Sequence, residues 1–96
     1  MLDKLKNMNS LRKQASQMKK SLEEEKITVE TYNGRVKLTI NGNQDIEELH
    51  IDEDVLTPDN KDMLEQEIKR AFKDAMKKLQ NIMVKKMQSG EINLPF

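Results

Sequence analysis

Three spacings of apolar residues divide this chain of 96 residues. In the first stretch Leu11, Ala15, Met18 and Leu22 recur at steps of four, three and four, which keeps them on one narrow helical stripe. Upstream, Leu2, Leu5 and Met8 drift around the helix surface, and "NMNS" (7–10) is a poor helix former. The pattern predicts a helix over 3–25 whose first two turns are loosely held. From residue 27 the period changes to two. Ile27, Val29 and Thr31 alternate with Thr28, Glu30 and Tyr32, and Val36, Leu38 and Ile40 alternate with Arg35, Lys37 and Thr39. Between them lies Asn33-Gly34, whose residues tolerate the positive φ of a type I′ turn. A second Asn-Gly at 41–42 leads to a third strand in "IEELHID", where Leu49 and Ile51 share a face. Ile46 has the wrong parity for that face, so either the strand starts after it or a bulge intervenes. These strands fall within 27–52.

The third stretch is helical again. Thr57 suits an N-cap, Pro58 the first helical position, and Asp59, Asp62 and Glu65 the positive end of the helix dipole. Leu64, Ile68, Ala71, Phe72, Ala75, Met76, Leu79, Ile82 and Met83 follow helical spacing until Gly90, with Pro95 beyond. The expected helix is 58–89, followed by a short tail, 90–96. The whole is one domain over 1–96: an α+β chain ordered α-β-β-β-α, with a three-stranded antiparallel sheet and two long helices.

Length then constrains assembly. A helix over 58–89 is about 48 Å long at 1.5 Å per residue, whereas a compact chain of this size has a radius of gyration of about 12–13 Å. Part of the helix must project, and a projecting apolar stripe needs a second chain to cover it. A two-fold homodimer is expected. Leu11, Met18, Leu38, Ile40, Phe72, Met76, Leu79 and Met83 are the candidate interface positions.

Charge adds a second theme. The formal net charge is zero, yet residues 1–22 carry +5, residues 23–67 carry −10 and residues 69–86 carry +6. In "KRAFKDAMKKLQNIMVKK" (69–86) Asp74 is the one acid, so the i, i+4 pairing that usually neutralises a solvated helix is mostly lacking. Lys86 falls in the middle of the apolar stripe, which predicts that the helix has left the core by then. The pattern fits a polyanion such as duplex DNA; it also fits a solvated helix face, an acidic protein or a membrane surface. Candidate phosphate contacts are Lys4, Lys6, Arg12, Lys13, Lys19 and Lys20 on the first helix. On the second they are Lys69, Arg70, Lys73, Lys77, Lys78, Lys85 and Lys86.

Other chemistry finds little support. There is no cysteine, hence no disulfide or thiolate metal site. Glu48, His50 and Asp52 share a strand face at i, i+2, i+4, a spacing that a solvated polar face explains better than a metal does. No phosphate-binding loop or nucleophilic triad occurs. No cofactor, small-molecule substrate or catalytic residue is therefore expected. No apolar run approaches a membrane span, and none follows Lys4 and Lys6 as in a secretory signal, so a cytoplasmic location is expected. The acids Glu23, Glu24 and Glu25 sit at the helix end that the dipole reserves for cations.

The ordered set "KQASQM" (13–18), "NGRVKLTINGN" (33–43), "IDEDVL" (51–56) and "MLEQEIKRAFKDA" (63–75) resembles the YbaB/EbfC family of bacterial nucleoid-associated proteins over nearly the whole chain. Gly34, Val36, Leu38 and Gly42 match the family's glycine-bounded strand; Ile51, Asp52, Leu64, Glu65, Ala71, Asp74 and Ala75 match its later positions. Lys73 stands where the family usually has Asn, Glu53 replaces a frequent Pro, and the Gly/Met/Pro-rich tail shrinks to "SGEINLPF". The resemblance implies a tweezer-like homodimer that binds duplex DNA with little sequence preference, in nucleoid organisation or gene regulation. The runner-up is a helical clamp that holds client proteins as holdase chaperones do, and exposed Val84 favours it.

Overall fold

A computed structural model describes residues 2–90, and the side chains of residues 8–90. Helix α1 spans Leu2–Glu24, strands β1, β2 and β3 span Lys26–Thr31, Val36–Asn41 and Ile46–Ile51, and helix α2 spans Lys61–Gln88. Two 3-10 turns, Glu53–Val55 and Pro58–Asn60, join β3 to α2. The order is the α-β-β-β-α expected from spacing, and the strands form one antiparallel sheet in the order β1-β2-β3.

Local chemistry explains the turns. Asn33 and Gly34 take φ of 57° and 81°, and the Arg35 N–H donates to Tyr32 O at 3.2 Å, closing the predicted I′-like turn. Tyr32 itself is at φ 58°, with the Arg35 guanidinium 5.6 Å from its ring centroid. The second turn is organised by a buried side chain. Asn41 Oδ1 accepts from the backbone N–H of Asn43 at 2.9 Å and of Asp45 at 3.1 Å. The parity conflict at Ile46 resolves as a bulge: Thr39 pairs with Glu48, but Ile40 pairs with Ile46, leaving Glu47 as the extra residue. The α2 start differs from expectation. Thr57 is extended but makes no side-chain cap bond, and Pro58 opens a 3-10 turn rather than the α-helix.

The core lies between α2 and one face of the sheet. Ile27, Val29, Val36, Leu38 and Ile40 meet Leu64, Ala71, Ala75 and Leu79, with Val55 closing one end. Ala71 and Ala75 are fully buried, so the helix backbone rides close over β1 and β2. The small side chains make that approach possible.

The elongation anticipated from helix length is present, but its cause is different. The radius of gyration is 18.4 Å and the long dimension 64 Å. Rather than leaving the core by residue 86, as the position of Lys86 in the apolar stripe predicts, α2 lies along the sheet, with Ile82 and Met83 still packed against the core. The element that stands away is α1, about 35 Å long at 1.5 Å per residue. Among the described side chains of α1, Met8, Leu11 and Ala15 are exposed, and Met18 and Leu22, nearest the sheet, are half-buried. Among the described residues no helix is long and apolar enough to cross a membrane.

Candidate nucleic-acid interface

Because Ala71 and Ala75 face the sheet, helical geometry points Lys73 and Lys77 straight outward, with Lys69 and Arg70 beside them. All four cations line one shallow groove with Gln66 and Asp74. Lys69, Lys73 and Lys77 stand in an i, i+4, i+8 row, with steps of about 6 Å along the axis. None of the three forms an ion pair among the described residues. Arg70 is different: its guanidinium lies 3.4 Å from Glu67 Oε1. Glu67 is mostly buried, and its other carboxylate oxygen has no hydrogen-bond partner among the described residues. Arg70 is thus partly committed to holding a buried acid. The spacing of the chain gave no hint of Glu67, because an acid at the flank of an apolar stripe looks like any solvated one.

Lys78 and Lys85 are exposed on the opposite flank of α2. Arg12, Lys13, Lys19 and Lys20 are exposed along α1. Lys4 and Lys6 lie outside the described side chains. The structure therefore distributes the anticipated cations over two separate helices rather than one patch. The α2 row is the densest group.

Lys86 departs from its expected setting. Rather than lining a protruding arm, it reaches the α1–β1 junction and pairs with Glu25, both side chains being about three-quarters buried. A cation in an apolar stripe was the legible sign; its partner, 61 positions earlier, was not. The pair also accounts for one acid of the Glu23–Glu25 cluster. Nearby, Lys26 binds Glu47 at 2.5 Å, linking β1 to the bulge of β3. The last turn of α1 is fastened by the β2–β3 turn: the Gly42 N–H donates to Leu22 O at 2.8 Å and Asn43 Nδ2 to Lys19 O at 3.0 Å. Leu22 O belongs to the last turn of the helix, whose carbonyls lack intrahelical partners, and the β2–β3 turn supplies it with a donor.

The candidate interface positions divide in two. Leu38, Ile40 and Leu79 are covered by the chain's own core and present no surface to a partner, which corrects their assignment. Their alternation marked a buried face, and α2 of the same chain supplies the cover. Phe72 is 39% exposed and Leu11 54%, while Met18, Met76 and Met83 are half-buried. Phe72 and Met76 line a groove rimmed by Lys69, Lys73 and Lys77. Met76 and Met83 continue along the same flank to Val84, Met87 and the β2–β3 turn. On the far face of the sheet, His50 Nε2 lies 3.5 Å from Asp52 Oδ1, both exposed.

The sequence profile of the YbaB/EbfC DNA-binding family matches residues 1–91. The chain belongs to the YbaB/EbfC DNA-binding family. Among its relatives, a nucleoid-associated protein of Granulibacter bethesdensis is 38% identical over 100 residues, covering 95% of this chain and 94% of its own. One from Corynebacterium urealyticum is 35% identical over 101 residues, covering 94% and 96%. In fold, the chain is similar to the crystal structure of an uncharacterised protein from Helicobacter pylori. That match has a TM-score of 0.65 at 20% identity and covers 88% of this chain and 98% of the other. Within the family frame, Gly42 marks the close approach of the β2–β3 turn to α1, and Ala71 and Ala75 mark the close approach of α2 to the sheet.

Proposed function

We propose that this member of the family binds duplex DNA as a homodimer, in the cytoplasm at the nucleoid, through phosphate contacts and with little sequence preference. The observation that carries the reading is the outward row Lys69, Lys73 and Lys77, unpaired among the described residues and sharing its groove with Arg70. Cations held on a rigid helix neutralise phosphates and release counterions, which supplies affinity without reading bases. Arg12, Lys13, Lys19 and Lys20 on α1, with Lys78 and Lys85, extend the contact. Lys4, Lys6 and Lys86 complete the set, Lys86 only where DNA competes with Glu25. The family description and the names of the relatives support the same partner. The role is non-enzymatic, in nucleoid organisation or gene regulation, and needs no cofactor or small-molecule substrate.

The test is a gel-shift titration with two unrelated duplexes at two salt concentrations. Retention of both duplexes is expected, with log affinity falling against log salt at a slope of about −0.9 per neutralised phosphate. Absence of retention in dilute buffer ends the proposal.

A second reading, a clamp for client proteins, has one observation in its favour: Val84 and Met87 are 46% and 45% exposed in the groove beside Met83. Suppression of client aggregation at high salt, without DNA retention at low salt, is the result that would favour it.

A further inference from the structure

Two rows of side chains run side by side along α2. Lys69, Lys73 and Lys77 form one, and Phe72, Met76 and Gln80 the other. Both have i, i+4, i+8 spacing, so each climbs about 6 Å per step and the rows stay in register. The six side chains line a single groove. Phe72 is exposed and Met76 half-buried, so the floor is apolar, with an aromatic ring at one end and the Gln80 amide at the other. The three lysines rim it. Glu65, the acid on the same flank of α2 nearer the N-terminus, pairs with Lys61 at 3.8 Å and lies outside the groove.

A paired duplex engages only the rim. Its base faces are stacked inside, so it offers phosphate to the lysines and nothing to the phenyl ring. An unpaired strand offers both: a line of phosphates and, beside it, flat base faces that stack on an aromatic ring whatever the sequence. Other occupants match one row only. Two copies meeting groove to groove would set lysine against lysine, and an apolar peptide would leave the rim without counter-charge. We infer that the groove takes unpaired nucleotides of DNA, with phosphates along Lys69, Lys73 and Lys77 and a base stacked on Phe72. This rests on the DNA-binding reading given above and deepens it: the preferred substrate is DNA with a short unpaired stretch, such as a bubble or a gap. Met76 continues the floor beneath the next base. Gln80, which both donates and accepts, meets a base edge of any identity. Phe72 and Met76 are thereby assigned to nucleic acid rather than to a second copy.

The chain has no tryptophan, so Phe72→Trp places a single indole reporter in the groove. Its emission is expected to be quenched by a single-stranded oligothymidylate, and little by a fully paired duplex at the same salt. The unaltered protein is expected to bind a duplex with a central unpaired bubble about tenfold more tightly than the paired duplex of the same length. Phe72→Leu keeps the floor apolar but removes the ring, and is expected to bring that ratio close to one. Equal affinity of the unaltered protein for the two duplexes, or a ratio that survives Phe72→Leu, overturns the inference and leaves duplex binding standing. A dimeric mass that falls to a monomeric one in Phe72→Leu assigns the ring to a second copy and overturns it too. Retention of no DNA of either kind removes the reading beneath it as well.

Discussion

The backbone N–H of Gly42 donates to Leu22 O at 2.8 Å, and a Cβ at residue 42 would lie 2.5 Å from that same oxygen. The turn between β2 and β3 thus abuts the last turn of α1 with no room for a side chain. The obstructing atoms are backbone, which cannot rotate aside. Gly42→Ala is expected to destabilise the fold by about 1–3 kcal/mol, the range for overpacking. Urea unfolding of the two proteins measures it; an unchanged midpoint contradicts the close approach.

Lys86 and Lys73 carry the same charge, but the structure gives them different work. Lys73→Gln is expected to reduce the salt slope of DNA binding by about 0.9 with stability unchanged. Lys86→Gln removes the partner of Glu25, so it is expected to cost about 1 kcal/mol of stability while leaving the slope nearly as it was. Parallel salt titrations and thermal melts separate the two. Equal effects on binding would mean that Lys86 leaves Glu25 for phosphate.

Asn41 is 4% exposed, and its side-chain oxygen accepts two backbone N–H groups. Asn41→Ala strands both donors and is expected to cost about 1–3 kcal/mol. Asn41→Asp keeps the oxygen that accepts both bonds, and a smaller loss is expected. Denaturant melts of both variants check the ranking; a larger loss for the aspartate contradicts it.

Leu38 and Leu11 looked alike as apolar members of regular patterns, but they differ in cover. Leu38→Ala is expected to cost about 2–5 kcal/mol at any protein concentration, because the cavity opens inside one chain. Leu11 is exposed in the single chain. Any cost of Leu11→Ala is therefore expected to grow with protein concentration, as it does when a residue is buried only on association. Unfolding curves at two concentrations check both statements.

Much of the fold was legible because its signals are local. Alternation marked Ile27 through Ile40 as strands, Asn33-Gly34 marked the hairpin, and the parity of Ile46 flagged an irregularity that the pairing resolves as a bulge. Of the candidate interface, the surplus of cations on α2 followed directly from residue type. The status of Arg70 and Lys86 did not. Their partners, Glu67 and Glu25, become visible only when burial and distance are known.

Spacing and residue type settled the element order, the turns, the apolar face of each element and the basic character of both helices, since each depends on neighbours within a few positions. Folding in three dimensions decided the rest. It laid α2 along the sheet and left α1 standing clear, joined Lys86 to an acid 61 residues away, and closed Leu38 and Ile40 inside one chain. Periodicity shows that a face must be covered. What covers it depends on how closely the backbones approach, and at Ala71, Ala75 and Gly42 that approach comes from side chains too small to hold the elements apart.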